Sequence, residues 1–168
     1  MAYDAFMWLT GGEPVAKGET QDGTYKAKNA FEIYSFSWGA SNPTTIGSAS
    51  GGAGAGKVSL SSFNIMKKTD SASPALFTNC AKGEHFTQAN VVLRKAGGTA
   101  LEYLKYDFEE VFVESIQWSG SAGGDDTPSE SVSFAFAKVS ITYEPQTAKG
   151  AEGTKVSAVW DVRANKSA

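Results

Sequence analysis

At 168 residues the chain is the length of one domain, enough to bury roughly two-thirds of the surface its unfolded form exposes, so it needs no covalent staples. Fifteen basic and eighteen acidic side chains leave a net charge of −3 with both signs scattered, which argues against nucleic acid as a partner. The single cysteine, Cys80, excludes an intrachain disulfide and a cysteine-based zinc site, and its expected place is the core.

The opening stretch "MAYDAFMWLTGGEP" has no basic segment, carries Asp4, and is too short in apolar residues for a secretory leader. No apolar run approaches the ~20 residues of a membrane helix. The expectation is a protein made in the cytoplasm, without membrane insertion, that leaves the cell only by a route requiring no cleaved signal. Tyr3 to Leu9 is apolar on both faces, as in a strand covered on both sides, and a loop rich in Gly, Lys and Asp follows to about Lys28.

Short β-type alternation broken by Gly, Pro, Asp and Ser dominates the rest. In three segments the alternation jumps by one residue. Phe31 and Ile33 hand over to Tyr34, Phe36 and Trp38; Val58 and Leu60 to Phe63 and Ile65; Val132, Phe134 and Phe136 to Val139, Ile141 and Tyr143. A one-residue jump turns the apolar set outward unless a bulge or bend absorbs it, so these strands must bend. Leu101 to Trp118 reads as a very long strand or strand pair, with Leu104, Tyr106, Phe108, Phe112, Ile116 and Trp118 on the core face. Val156, Ala158, Trp160 and Val162 alternate along a last strand. One helix is predicted in "DSASPALFTNCAKG": Ser73 as N-cap, Pro74 in the first turn, Gly83 past the end, and an apolar face of Leu76, Cys80, Phe77 and Ala81. The fold class is mainly β, two sheets forming a β-barrel with bent or bulged strands and one short α-helix at its side.

Candidate chemistry is sparse. Gly51, Gly56 and Lys57 match G-x-x-x-x-G-K, but Val58 stands where Ser or Thr would hold Mg²⁺, and a β-patterned segment follows where a helix should begin. Lys57 then reads as a solvated residue at a strand entrance. His85, the only histidine, has no triad signature around it, and Asp125 with Asp126 lacks the alternating ligands of a calcium loop. The aromatic residues fall mostly on strand alternation and belong to the core. No catalytic residue, cofactor or metal site is predicted. From Gly47 to Gly56 all ten residues are Gly, Ala or Ser, a composition expected to be mobile until a partner orders it.

With those residues in hand, the chain resembles the hemolysin-coregulated protein (Hcp) family of bacterial type VI secretion systems. The stretches that carry the resemblance span almost the whole chain, among them "MAYDAFMWL", "FEIYSFSWGASNP", "GAGKVSLSSFNIMKKTDSASPALFTNCAKGEHF" and "ESVSFAFAKVSITYEPQ". Thr20 departs mildly from the family's "GESQD". The resemblance implies a single domain over 1–168, a non-enzymatic subunit of homo-hexameric rings that stack into a hollow tube. It implies as partners the contractile sheath, the tip spike protein and secreted effectors, and no effector domain after Ala168. It maps the family's extended loop onto about 41–57, comprising Ser41, Asn42, Pro43, Thr44, Thr45, Ile46, Gly47, Ser48, Gly51, Gly52, Gly54 and Gly56, as the segment that meets the next ring. An enzyme of hydrolase or nucleotide-binding type, or a secreted binding module, are the alternatives.

Overall fold

The structure is a computed structural model that describes residues 2–45, 54–96 and 100–168. In chain order its strands are β1 (Tyr3–Thr10), β2 (Phe31–Glu32), β3 (Ser35–Ser37), β4 (Ala40–Ser41), β5 (Thr44–Thr45), β6 (Gly54–Ala55), β7 (Ser59–Leu60) and β8 (Phe63–Lys68). The helix α1 (Ser73–Lys82) follows, then β9 (His85–Lys95), β10 (Glu102–Ser119), β11 (Ser129–Tyr143), β12 (Val156–Asp161) and β13 (Lys166–Ser167).

Nine of these strands form one antiparallel sheet, with β2, β1, β9, β10, β11, β12 and β13 side by side and β8 and β3 attached along β11. The mainly-β class with a single helix agrees with the sequence, but the hydrogen-bonded path does not close into a barrel. The reason lies in the first predicted phase jump. Phe31 and Ile33 are buried against β1, where the Ile33 amide donates to Ala5 O at 3.0 Å; one residue later the Tyr34 amide donates to Met66 O of β8 at 2.8 Å. The chain thus changes partner at Ile33–Tyr34, leaving Tyr34 in solvent and returning Phe36 and Trp38 to the core. Two short strands stand where one bent strand was expected.

β11 changes partner in the same way. Its first half, Ser129–Phe134, pairs with β8, and its second half, Lys138–Tyr143, pairs with β12. Both sides of the predicted jump stay on one core, Val132, Phe134 and Phe136 before it and Val139 and Ile141 after it. Its neighbour β10 jumps with it, which the sequence reading missed. Phe108, Val111 and Val113 are buried while Phe112 is 38% exposed, so the inward face switches between Phe108 and Val111. Glu110 makes the switch with φ of 49°, a left-handed conformation that costs a non-glycine residue about 1–2 kcal/mol, opposite the Ala137 gap in the ladder. A bulge at Glu114, between Val113 and Ser115, then brings Ile116 back to the core.

As predicted, β1 is covered on both faces. Ala5, Met7 and Leu9 join the main core with Phe63, Phe86, Phe108 and Phe134. On the opposite face Phe6 packs with Tyr25, Ala30 and Val92 under the loop that follows β1. Fixed aromatic geometry adds to both clusters: Phe6 stacks on Tyr25 at 4.4 Å, and Phe108 tilts against Phe136 at 4.7 Å.

The helix differs in two details. Its N-cap is Ala72, and Ser73 is the first helical residue. No side chain caps the helix start; the Asp70 carboxylate turns the chain into it, accepting from the Ala72 amide at 3.0 Å. The buried face is Ser73, Ala75, Leu76 and Asn79, while Phe77 is 53% exposed and Cys80 half-buried. Ser73 is drawn inward by an ionic cluster. Lys67 Nζ, fully buried, donates to Glu130 at 2.6 Å, Asp70 at 2.7 Å, Lys68 O at 2.9 Å and Ser73 Oγ at 3.2 Å. Ser73 and Thr69 also donate to Glu130, so every charge has partners and the helix start is tied to β8 and β11. Gly83 ends the helix at φ of 69°, as its sequence position implied.

Candidate assembly surfaces

The segment singled out in sequence forms a ribbon apart from the main sheet. Ala40 and Ser41 of β4 pair with Leu60 and Ser59 of β7, and Thr44 and Thr45 of β5 with Ala55 and Gly54 of β6. Its base is pinned where the Gly39 amide donates to Ser61 Oγ at 2.8 Å and the Ser61 amide to Gly39 O at 2.9 Å. Between the two pairings the Gly56 amide donates to Pro43 O at 2.9 Å, an approach only glycine permits because a Cβ there would lie 2.7 Å from that oxygen. Ser41, Asn42, Pro43, Thr44, Gly54 and Gly56 are thus brought together on the ribbon, mostly as exposed residues. Ile46, Gly47, Ser48, Gly51 and Gly52 lie outside the described residues. The glycine-lysine run leads into strand β7, so no helix start is present to hold a phosphate.

The ribbon has a definite place relative to the sheet. β3 runs antiparallel to β8, toward the end of the sheet where β10 begins and β11 finishes, and the ribbon continues from it. At the other end the turn between β10 and β11 carries Asp125 and Asp126, both exposed, beside a cleft of about 590 Å³ lined by Ser119, Gly120 and Thr127. Asp125 pairs with Lys68 at 3.0 Å. Nearby the rings of Phe77 on α1 and Trp118 on β10 lie 6.0 Å apart, 53% and 43% exposed.

The sheet's lateral edge is β12 and β13. β13 pairs with Trp160 and Asp161, and the Ala168 amide donates to Val159 O at 3.4 Å, leaving the Val156–Ala158 end of the β12 edge unpaired among the described residues. Val156 is 64% exposed and its register partner Tyr143 is 47% exposed, while the buried Trp160 Nε1 has no hydrogen-bond partner among the described residues. An open edge with exposed apolar side chains is a surface that pairs with another chain.

The remaining polar groups are structural. Arg94 donates to Asp22 at 2.6 Å and to Asp4 at 3.3 Å and lies over the Phe6 and Tyr25 rings. The Arg94 hydrogen bond holds the Asp22 carboxyl below its ordinary range, against a smaller opposing effect of burial. Burial pushes the Tyr25 hydroxyl up, aided by its hydrogen bond to Glu102. For Glu102 burial alone would raise the carboxyl, but Lys105, at 2.5 Å, and Tyr25 outweigh it and lower it. His85 is exposed with its ring 5.3 Å from that of Phe112. Among the described residues no group of three or more His, Cys, Asp or Glu side chains is placed to hold a metal, and no helix is long and apolar enough to cross a membrane.

This fold recurs in known proteins. Residues 6–143 match the family described as "Type VI secretion system effector, Hcp". The chain belongs to the Hcp family. It is 40% identical over 111 residues to Protein hcp1 of Pseudomonas aeruginosa, covering 65% of this chain and 68% of that one. Among solved structures, one of a type six secretion system protein superposes with a TM-score of 0.90 at 31% identity, over 99% of this chain and all of the other. Hcp1 from Salmonella typhimurium gives a TM-score of 0.79 at 34% identity over the full length of both chains. As an Hcp protein the chain is a secreted structural component of type VI secretion, not an enzyme, and it forms oligomeric rings.

From sequence the segment reads as a mobile loop, and the ribbon's two pairings were not foreseen. The Lys67–Glu130 pair and the Glu110 switch were missed, although a signal existed for the pair. Lys67 continues the inward phase of Phe63 and Ile65, and Glu130 that of Val132 and Phe134, so two opposite charges sat on inward positions of strands that pair.

Proposed function

We propose that this Hcp chain assembles into hexameric rings that stack head to tail into a hollow tube, with the Ser41–Gly56 ribbon as the contact to the next ring. The observation that carries this reading is the ribbon's detachment. Its two short pairings share no ladder with the nine-stranded sheet, and an isolated two-stranded hairpin is marginal in water, so it gains its stability from a surface that another subunit provides. The open β12 edge with Tyr143, Val156 and Trp160 serves the lateral contact within a ring, where a rotation that closes gives a ring rather than a fibre. A stable ring contact buries about 800 Å² on each subunit. The tube sits within the contractile sheath beneath the tip spike protein and carries effectors in its lumen. The subunit is made in the cytoplasm and reaches the medium or a target cell without a cleaved signal.

Removing residues 44–55 while rejoining the β4 and β7 strands tests this. Native mass spectrometry is expected to show hexamers for both proteins, and electron microscopy and a secretion assay to show loss of stacking and export for the shortened one. Equal stacking and export would overturn the ribbon's role, and a monomeric parent chain would overturn the reading as a whole.

A further inference from the structure

Resting on that head-to-tail reading, we infer that the surface receiving the ribbon on the next copy of this chain is the β10–β11 turn, with Lys57 of one copy paired to Asp126 of the next. The register sets the two apart by direction: β3 ends at Ser37, level with Ser133, and points on toward the end of the sheet where β10 begins and β11 finishes, while Ser119 and Ser129 mark the other end. A translation along the strands therefore brings the ribbon of one copy onto that turn of its neighbour, a heterologous contact that repeats indefinitely.

Chemistry supports the same match. Lys57, exposed on the ribbon between its two pairings, forms no ion pair with a described residue, and Asp126, exposed in the turn, likewise forms none; its sequence neighbour Asp125 is already paired with Lys68. The ribbon is otherwise neutral and built mostly of Gly, Ala, Ser and Thr, and the cleft of about 590 Å³ at the turn is lined by Ser119, Gly120, Ser121 and Thr127 together with Asp125 and Asp126. The adjoining Phe77–Trp118 pair gives the same end an apolar margin that the next copy covers. An exposed ion pair shifts an equilibrium only about twofold, yet six such pairs at one ring junction multiply to roughly 60-fold. The contact weakens with salt, because the exposed charges are screened over about 10 Å at 0.1 M.

Two sets of full-length variants test this. In a Cys80→Ser background, Lys57→Cys combined with Asp126→Cys is expected to give disulfide-linked species longer than six subunits on oxidation of concentrated protein. Lys57→Cys combined with Lys17→Cys should not. Absence of such species for the first pair, or equal ladders for both, would overturn the inference. In the second set, Lys57→Glu and Asp126→Lys singly reduce ring stacking by roughly 60-fold or more, and the double reversal restores it. Stacking unchanged in both single variants would also overturn it. A parent that forms no rings at all would overturn the head-to-tail reading instead, so the two failures are distinguishable.

Discussion

Replacing Lys67 by Met should destabilise the protein far more than replacing Lys67 and Glu130 together by Met and Leu. At 2.6 Å, with an effective dielectric of about 20, the two charges attract by roughly 6 kcal/mol. Desolvating both offsets most of that, several kcal/mol for each ion. Removing only Lys67 leaves Glu130 buried with Ser73 and Thr69 as its donors and frees Asp70 from its cation. The expected loss is about 3–5 kcal/mol, whereas the apolar double replacement is expected to be near neutral or stabilising. For a chain of this size each kcal/mol shifts the melting temperature by about 2–4 °C, so the single variant should melt roughly 6–20 °C lower. Urea titration at one fixed subunit concentration measures this, because ring formation makes stability concentration-dependent. A single variant within about 0.5 kcal/mol of the parent, or a double variant losing the sum of the two singles, would refute the reasoning.

The Glu110 switch predicts that Glu110→Gly is close to neutral, while Glu110→Val, β-branched at φ of 49°, costs at least ~2 kcal/mol by thermal denaturation. Gly18→Ala should cost about 1–3 kcal/mol in urea titration, because its Cβ would stand 2.4 Å from the backbone oxygen of Ala30. Asp22 predicts acid sensitivity. Its carboxyl titrates below the unfolded value of about 3.9, so its contribution is complete above that pH and is lost as pH falls through the lower folded value. Asp22→Asn should therefore be less stable than the parent at pH 7 and approach it as pH falls below the unfolded value; a constant difference from neutral into that acid range would contradict the Arg94 pairing.

Local patterning explains how much of this fold could be read in advance. Phase jumps at Ile33–Tyr34 and in β11 were visible because apolar residues sit on one parity before the jump and on the other after it. In β10 the run Val111–Phe112–Val113 is apolar on both parities, so the pattern could not say which residue turns inward; Glu110's backbone decides it. The partner changes of Phe31–Ser37 and β11 are pairings between distant strands, which no local pattern encodes. Ser73 looked like a cap because its type and place before Pro74 suit one, yet the buried Lys67–Glu130 pair competes for its hydroxyl and Asp70 turns the chain into the helix. Composition marked Gly47 to Gly56 only as a loop outside a packed sheet, and the pairings of β4 with β7 and of β5 with β6 carry no local signal. The surface proposed to receive the ribbon rests on the register, which places the β10–β11 turn away from the end toward which β3 runs.

Electron microscopy of the purified full-length chain tests the central claim most directly. The account predicts six-fold rings with an open centre that associate end to end as concentration rises. Particles of a single subunit at every concentration up to hundreds of micromolar would contradict it.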